Sequence, residues 1–278
     1  MRIWRRPRRA ALVGFVDSLE HVMDTPGTAA ERMVPTGDVS LVVTLHSDGF
    51  SYDAVDGPHH ADAACLAGPQ RRAQVVETAP QRGMVAVNFT AGGAAPFLAV
   101  PLDAVADAYP SLGELWGVDG DLLREGLVGR PPQEMLDVLE DLLLAHLQRP
   151  LRRDLALDLA LRELDRGARV DVVVGRFGTT AKPFVRRVRA ATGMTPKTYA
   201  RLRRLQRVLA ALPEAGPVDW AAVAAEHGFS DQAHLVHDFS AITGVTPSRY
   251  RPVSAGARNH LPADLLFSPS PPSAGAGS

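Results

Sequence analysis

Cysteine is nearly absent from this chain of 278 residues: Cys65 is the only one. That excludes an internal disulfide and any multi-cysteine zinc site, and it suits a reducing cytoplasm. Long apolar runs are missing too, since no span approaches the ~20 residues that a membrane helix needs. The opening MRIWRRPRRAALVGFV has a basic start and an apolar stretch, but Asp17 and Glu20 interrupt it and no small-residue cleavage site follows. The expectation is a cytoplasmic chain that is neither exported nor membrane-bound. Metal and nucleotide signatures are also lacking. His59 and His60 are adjacent, so on a strand they would point to opposite faces, and His46 has no spaced partner. Gly92-Gly93 precedes no Gly-Lys-Ser or Gly-Lys-Thr and reads as a turn. Cys65 stands without a recognisable base, which favours a small buried hydrophobe over a nucleophile. No metal, no cofactor and no enzymatic activity are expected.

The net charge of −1 conceals a division. Residues 10–149 hold 7 Arg or Lys against 20 Asp or Glu, a net −13, whereas residues 150–252 hold 17 against 10, a net +7. The length leaves room for two domains, each with its own core. An acidic half joined to a basic half fits a sensor domain attached to a nucleic-acid-binding domain. The five Arg among the first nine residues read as a frayed, solvated terminus rather than a DNA-touching arm.

In the acidic half, short β-rich runs at 39–45, 50–52, 74–78 and 84–89 are separated by Gly, Pro and Asp, with a hairpin-like turn at Ser47-Asp48-Gly49. They predict a small antiparallel sandwich or barrel. Residues 97–118 read as a lid or short helical connection over it. The stretch from Gln133 to Gln148 is a strong helix whose stripe of Met135, Leu136, Leu139, Leu142, Leu143 and Leu147 suits either its own domain or the same helix of a second copy, a homodimer. Arg149-Pro150 breaks that helix and marks the domain boundary.

The basic half is built on a repeat. Residues 177–199 (FGTTAKPFVRRVRAATGMTPKTY) and 228–250 (GFSDQAHLVHDFSAITGVTPSRY) align without a gap at an offset of 51 and share Thr-Gly-x-Thr-Pro-x-x-Tyr. Each copy opens with a helix, 169–177 or 219–227, then a tight turn, then a second helix with Thr180 or Ser230 as N-cap. Phe184, Val188 and Ala191 match Leu235, Phe239 and Ile242 as a core-facing stripe. On the other side Ala181, Lys182, Val185, Arg186 and Arg189 match Gln232, Ala233, Val236, His237 and Ser240. A scaffold helix, a short turn and a second helix with a polar ridge make the helix-turn-helix pattern, whose second helix enters the major groove. A bundle with merely solvated ridges is the bland alternative, and repetition weighs against it.

Residues ~150–252 resemble the tandem helix-turn-helix domain of the AraC/XylS transcription regulators, most closely in Gly228-Phe229-Ser230-Asp231-Gln232, Phe239 and Gly244-x-Thr246-Pro247-x-x-Tyr250-Arg251. The resemblance implies two recognition helices joined by a linker helix over 198–212. By position it makes Lys182, Val185, Arg186, Gln232, Ala233, Val236 and His237 the base-reading residues. It places a cupin-like effector or dimerisation domain at 1–149, a double-stranded DNA partner at 150–252, a small-molecule effector of unknown identity in the first domain, and RNA polymerase as a further partner. Thr180, Arg187, Arg189, Arg201, Arg203, Arg204 and Ser230 are the expected phosphate contacts. The fold class is therefore α+β, with an all-α carboxy-terminal domain and a disordered tail at 253–278 rich in Ser, Pro, Ala and Gly. An enzyme on the amino-terminal barrel with an attached DNA domain, and a protein whose basic helices meet an acidic partner, remain the alternatives.

Overall fold

Ten strands form two antiparallel sheets in the computed structural model, which describes residues 2–23, 28–214, 216–254 and 256–264. The first sheet runs β1 (Arg2–Arg5), β2 (Val16–Met23), β9 (Gly83–Phe89), β4 (Ser40–Thr44), β7 (Ala64–Ala67). The second runs β10 (His260–Pro262), β3 (Ala30–Met33), β8 (Gln74–Glu77), β5 (Gly49–Ala54), β6 (Gly57–Asp62). The two sheets face each other across Phe50, Tyr52, Cys65, Val76 and Tyr109 and make the expected small sandwich. Ser47-Asp48-Gly49 is not a hairpin. β4 and β5 lie in different sheets, so the chain crosses between layers there, and the hairpin is β5 to β6, with Ala54 opposite Gly57.

The outer face of the first sheet carries Leu19, Leu41, Val43, Val85 and Val87, all fully buried under the helical layer. That layer comprises α1 (Leu112–Trp116), α2 (Val118–Leu127) and α3 (Pro132–Ala145). α1 starts at a reciprocal capping box between Ser111 and Glu114, which fixes the end of the 97–118 connection. The apolar stripe of α3 is taken up inside the chain: Met135, Leu136, Leu139 and Leu143 sit in the core against the sheet, so this stripe is not a free dimerisation face.

The basic amino terminus is not frayed. β1 pairs with β2, and the fully buried carboxylate of Glu140 accepts the Arg8 and Arg9 backbone amides at 2.9 and 2.7 Å while pairing with Arg5. Burial pushes the Glu140 carboxyl up, but those amides and the Arg5 guanidinium outweigh it, and the group titrates below its ordinary value.

The carboxy-terminal domain contains α4 (Leu155–Asp165), α5 (Val170–Arg176), α6 (Ala181–Thr192), α7 (Pro196–Ala211), α8 (Trp220–Glu226) and α9 (Gln232–Thr243). Phe184, Val188, Leu205, Val208, Leu235 and Phe239 are among its core residues. Val34 from the end of β3 and Leu261 from β10 belong to the same core. The disorder expected from 253 onward does not apply to 256–264, because Leu261 is fully buried there and β10 pairs with β3. The remainder of that expectation, 265–278, lies outside the described residues. No helix among the described residues is long and apolar enough to cross a membrane.

Candidate nucleic-acid interface

The letters that the two copies share are scaffolding. Thr192 Oγ1 donates to the Val188 carbonyl at 2.8 Å and accepts the Met194 amide at 3.2 Å; Thr243 does the same with Phe239 and Val245 at the same distances. Each helix then stops at a glycine in the left-handed region, Gly193 at φ 70° and Gly244 at φ 74°. A Cβ at Gly193 would also collide with Pro69 and the Leu102 carbonyl. Thr195 caps α7 through the Thr198 amide, and Tyr199 and Tyr250 are buried in the core.

With the core stripe turned inward, the other face of each second helix is left to solvent. Lys182, Arg186, Gln232, Ala233 and His237 are exposed, and Val185 and Val236 are half-buried beside them. Neither Lys182 nor Arg186 has a side-chain partner among the described residues. Thr180 is the N-cap of α6 but makes no side-chain capping bond, whereas α9 is capped by Asp231, which accepts the His234 amide at 2.7 Å. Ser230, expected as that cap, instead lies one residue before it and bonds Asp231 and His234, the His234 amide being taken by Asp231.

The expected phosphate contacts separate into two groups. Arg187 pairs with Asp154 and lies over the Phe177 ring at 4.7 Å, and Arg189 reaches Asp103 at 2.9 Å; both keep about half their side-chain surface exposed. Burial would push the Asp154 carboxyl up, but Arg187 and the Leu157 amide hold it below the ordinary range. The α7 arginines are struts instead. Arg203 bonds Asp165 at 2.6 Å and the Thr36 carbonyl at 3.0 Å, tying α7 to the amino-terminal domain. Arg201 and Arg204 both turn inward to Asp238, at 2.8 and 3.2 Å. Arg204 also caps the Gly228 carbonyl at 2.9 Å and stacks on Phe229 at 4.2 Å. Solvated ends are what a phosphate clamp needs, and Arg203 and Arg204, at 25% and 22% exposed, have the least, with Arg201, at 34%, between them and the α6 pair.

Asp238 is the residue that sequence reasoning missed. It is 7% exposed on α9 and gathers Arg201 and Arg204 from α7, with His234 and His237 of its own helix at 3.6 and 3.5 Å. A carboxylate at the inner edge of an otherwise apolar stripe was the available signal.

A cavity of 890 Å³ lies between the two sheets. Ser18, Glu20, Ser40 and Asn88 form a hydrogen-bonded row on one wall, and Phe50, Val76 and Tyr109 an apolar patch on another. Residues 256–260 of the carboxy-terminal segment complete its rim. Cys65 is fully buried behind the apolar patch, where burial pushes its thiol up to about 12. Among the described residues no cluster of His, Cys, Asp and Glu could hold a metal ion.

Residues 173–252 match the helix-turn-helix domain family, and residues 6–111 match a domain of unknown function, DUF6597. No curated protein matches the chain. Among solved structures it is similar to ToxT from Vibrio cholerae at 12% identity and TM-score 0.42, covering 84% of this chain and 96% of that one. It is similar also to ToxT bound to an unsaturated fatty acid, at 10% identity and TM-score 0.40, covering 83% and 92%.

Proposed function

We infer that this chain, whose carboxy-terminal domain is an AraC-type tandem helix-turn-helix domain, is a DNA-binding transcription regulator that reads a specific site with α6 and α9. The observation that carries the reading is the pair of exposed ridges at equivalent positions of two units that repeat in sequence and in helix order. Lys182 and Arg186 offer donors to the guanine edge, Gln232 can bridge adenine, and the apolar Val185, Ala233 and Val236 suit thymine methyls. His237 adds a polar group at the end of the second ridge. Arg187, the α6 N-terminus at Thr180 and the Ser230 hydroxyl beside the α9 N-terminus flank the ridges and suit phosphates, as does Arg189 once its pair with Asp103 opens, while the two helices read segments about one turn apart. The amino-terminal sandwich, with its cavity, is where a small-molecule effector would bias that activity.

Two experiments test this. Duplexes selected by the full chain from a random library should contain two elements spaced about one helical turn, and affinity should fall steeply with salt. A single short element means that one unit alone reads DNA, and no enrichment at moderate salt removes the reading in favour of an acidic protein partner. On the selected site, Arg186→Ala and Gln232→Ala should each lose ~1–3 kcal/mol and relax preference at one element. Equal weakening on every sequence would show that the ridges do not read bases.

A further inference from the structure

Past the second helix-turn-helix unit, the chain does not leave the molecule. Arg258 donates to the Leu209 and Leu212 carbonyls at 2.6 and 2.7 Å, closing the last turn of α7, and its own carbonyl accepts the Tyr250 hydroxyl at 2.6 Å. Asn259 bridges the two domains: its side chain accepts from Gln206 of α7 at 2.9 Å, and its carbonyl accepts the Val34 amide at 2.7 Å. Gln206 also donates to the Pro35 carbonyl at 2.7 Å. His260 to Pro262 then pair with Met33 to Glu31 as the edge strand, with His260 Nδ1 2.8 Å from Glu31 and Leu261 buried beside Val34 in the carboxy-terminal core.

Residues 256–264 thus grip α7, the helix between the two units, on one side and the sensor sheet on the other. The same residues rim the sheet cavity together with Met33 to Asp38. The grip holds the basic domain against the acidic one, where Arg189 on the flank of the first recognition helix is paired with Asp103 rather than free, and the Ala73 amide bonds the Ile242 carbonyl at the end of the second. An Arg held by a carboxylate, beside a half of net −13, is poorly placed for a polyanion.

We propose that residues 256–264 are a latch that holds the DNA-binding domain in a low-affinity, docked position, and that unfastening β10 from β3 releases it. A molecule filling the cavity would press on this rim, and the linker helix would receive the change directly. The proposal rests on the DNA-binding reading above, and its test separates the two.

Glu31 and Pro262 face each other across an antiparallel pair, where Cα atoms come within disulfide range. A full chain carrying Glu31→Cys and Pro262→Cys can therefore be fastened by oxidation and freed by reduction, and the buried Cys65 does not compete. The reduced form, which has also lost the Glu31 to His260 contact, should bind the selected duplex about five- to tenfold more tightly than the oxidised form. Hydrogen exchange at the remote contacts, residues 71–75 and 101–107, should be faster in the reduced form, and Asn259→Ala in the otherwise native chain should move exchange and affinity the same way. Equal exchange at those remote amides and equal DNA affinity in both redox forms would overturn the latch. If no duplex is selected, the regulator reading fails, and the exchange comparison by itself decides whether the latch holds the domains together.

Discussion

Replacing Asp238 by Ala should unfold the chain at a lower urea concentration, with a loss of ~3 kcal/mol, the low end for breaking a buried ion pair. The reason is the geometry around that carboxylate. Arg201 and Arg204 both point inward from α7 to reach it, with side chains 34% and 22% exposed, so without it two partly solvated guanidiniums lose one partner each. Arg204 keeps the Gly228 carbonyl and the Phe229 ring, which is why the loss belongs at the low end. The functional consequence is local. Asp238 is the tie between α9 and α7, so the selected DNA site should shrink to the element read by α6, and Asp238→Asn should keep part of both properties. A change below ~0.5 kcal/mol, in the range of ordinary surface substitutions, would mean that packing of Leu235, Phe239 and Ile242 alone orients the helix.

How legible this molecule is in its sequence depends on what each face meets. The second helices were readable because one side meets core and the other water, so Phe184, Val188, Leu235 and Phe239 stand out at helical spacing. The boundaries of α5, α6 and α9 fell within a residue or so of expectation for the same reason. β2 was illegible. It is eight residues long and interior in its sheet, yet VDSLEHVM carries Ser18 and Glu20 toward the cavity and buries His21 as well. A strand covered on both faces, one of them polar, has no alternation to find. β6, with Pro58, His59 and His60, lies at a sheet edge and is mostly exposed, so nothing apolar marks it. β10 is three residues in a Pro- and Ala-rich tail, and only Leu261 has a core to enter. Its pairing depends on a strand more than two hundred positions away, which no local pattern encodes.

The same limit governs charge. Arginines on neighbouring helices look alike in sequence, and the split between half-exposed Arg187 and Arg189 on α6 and the inward-facing Arg201, Arg203 and Arg204 on α7 follows from partners on other elements: Asp154, Asp103, Asp238 and Asp165. The net +7 of residues 150–252 therefore overstates what is free to meet phosphate. The salt dependence of DNA binding should reflect the exposed cations on and beside the ridges rather than the total.

The amino-terminal arginines extend that point to stability, and Glu140→Ala is expected to cost ~3–5 kcal/mol, as removal of one partner of a buried charge pair does. Glu140 is fully buried, and its two oxygens hold the Arg8 and Arg9 amides and the Arg5 guanidinium, whose side chain is 12% exposed. Asp137 is a second partner for Arg5 at 2.7 Å, which moderates the loss without replacing the backbone contacts. The sign with pH follows from the depressed titration of Glu140 in the folded chain. A carboxyl whose folded value lies below its unfolded one contributes stability that is fully present above the unfolded value, and that stability drains away as pH falls through the folded value. Unfolding free energy of the native chain should therefore fall on acidification from ordinary carboxylate pH downward, and Glu140→Ala should remove part of that slope. Glu140→Gln, which can still accept one amide, should lie between the two. If the native and Glu140→Ala chains lose stability in parallel across the acid range, the carboxylate does not anchor β1 and the arginine segment to α3, and the buried Arg5 must draw its stabilisation from Asp137.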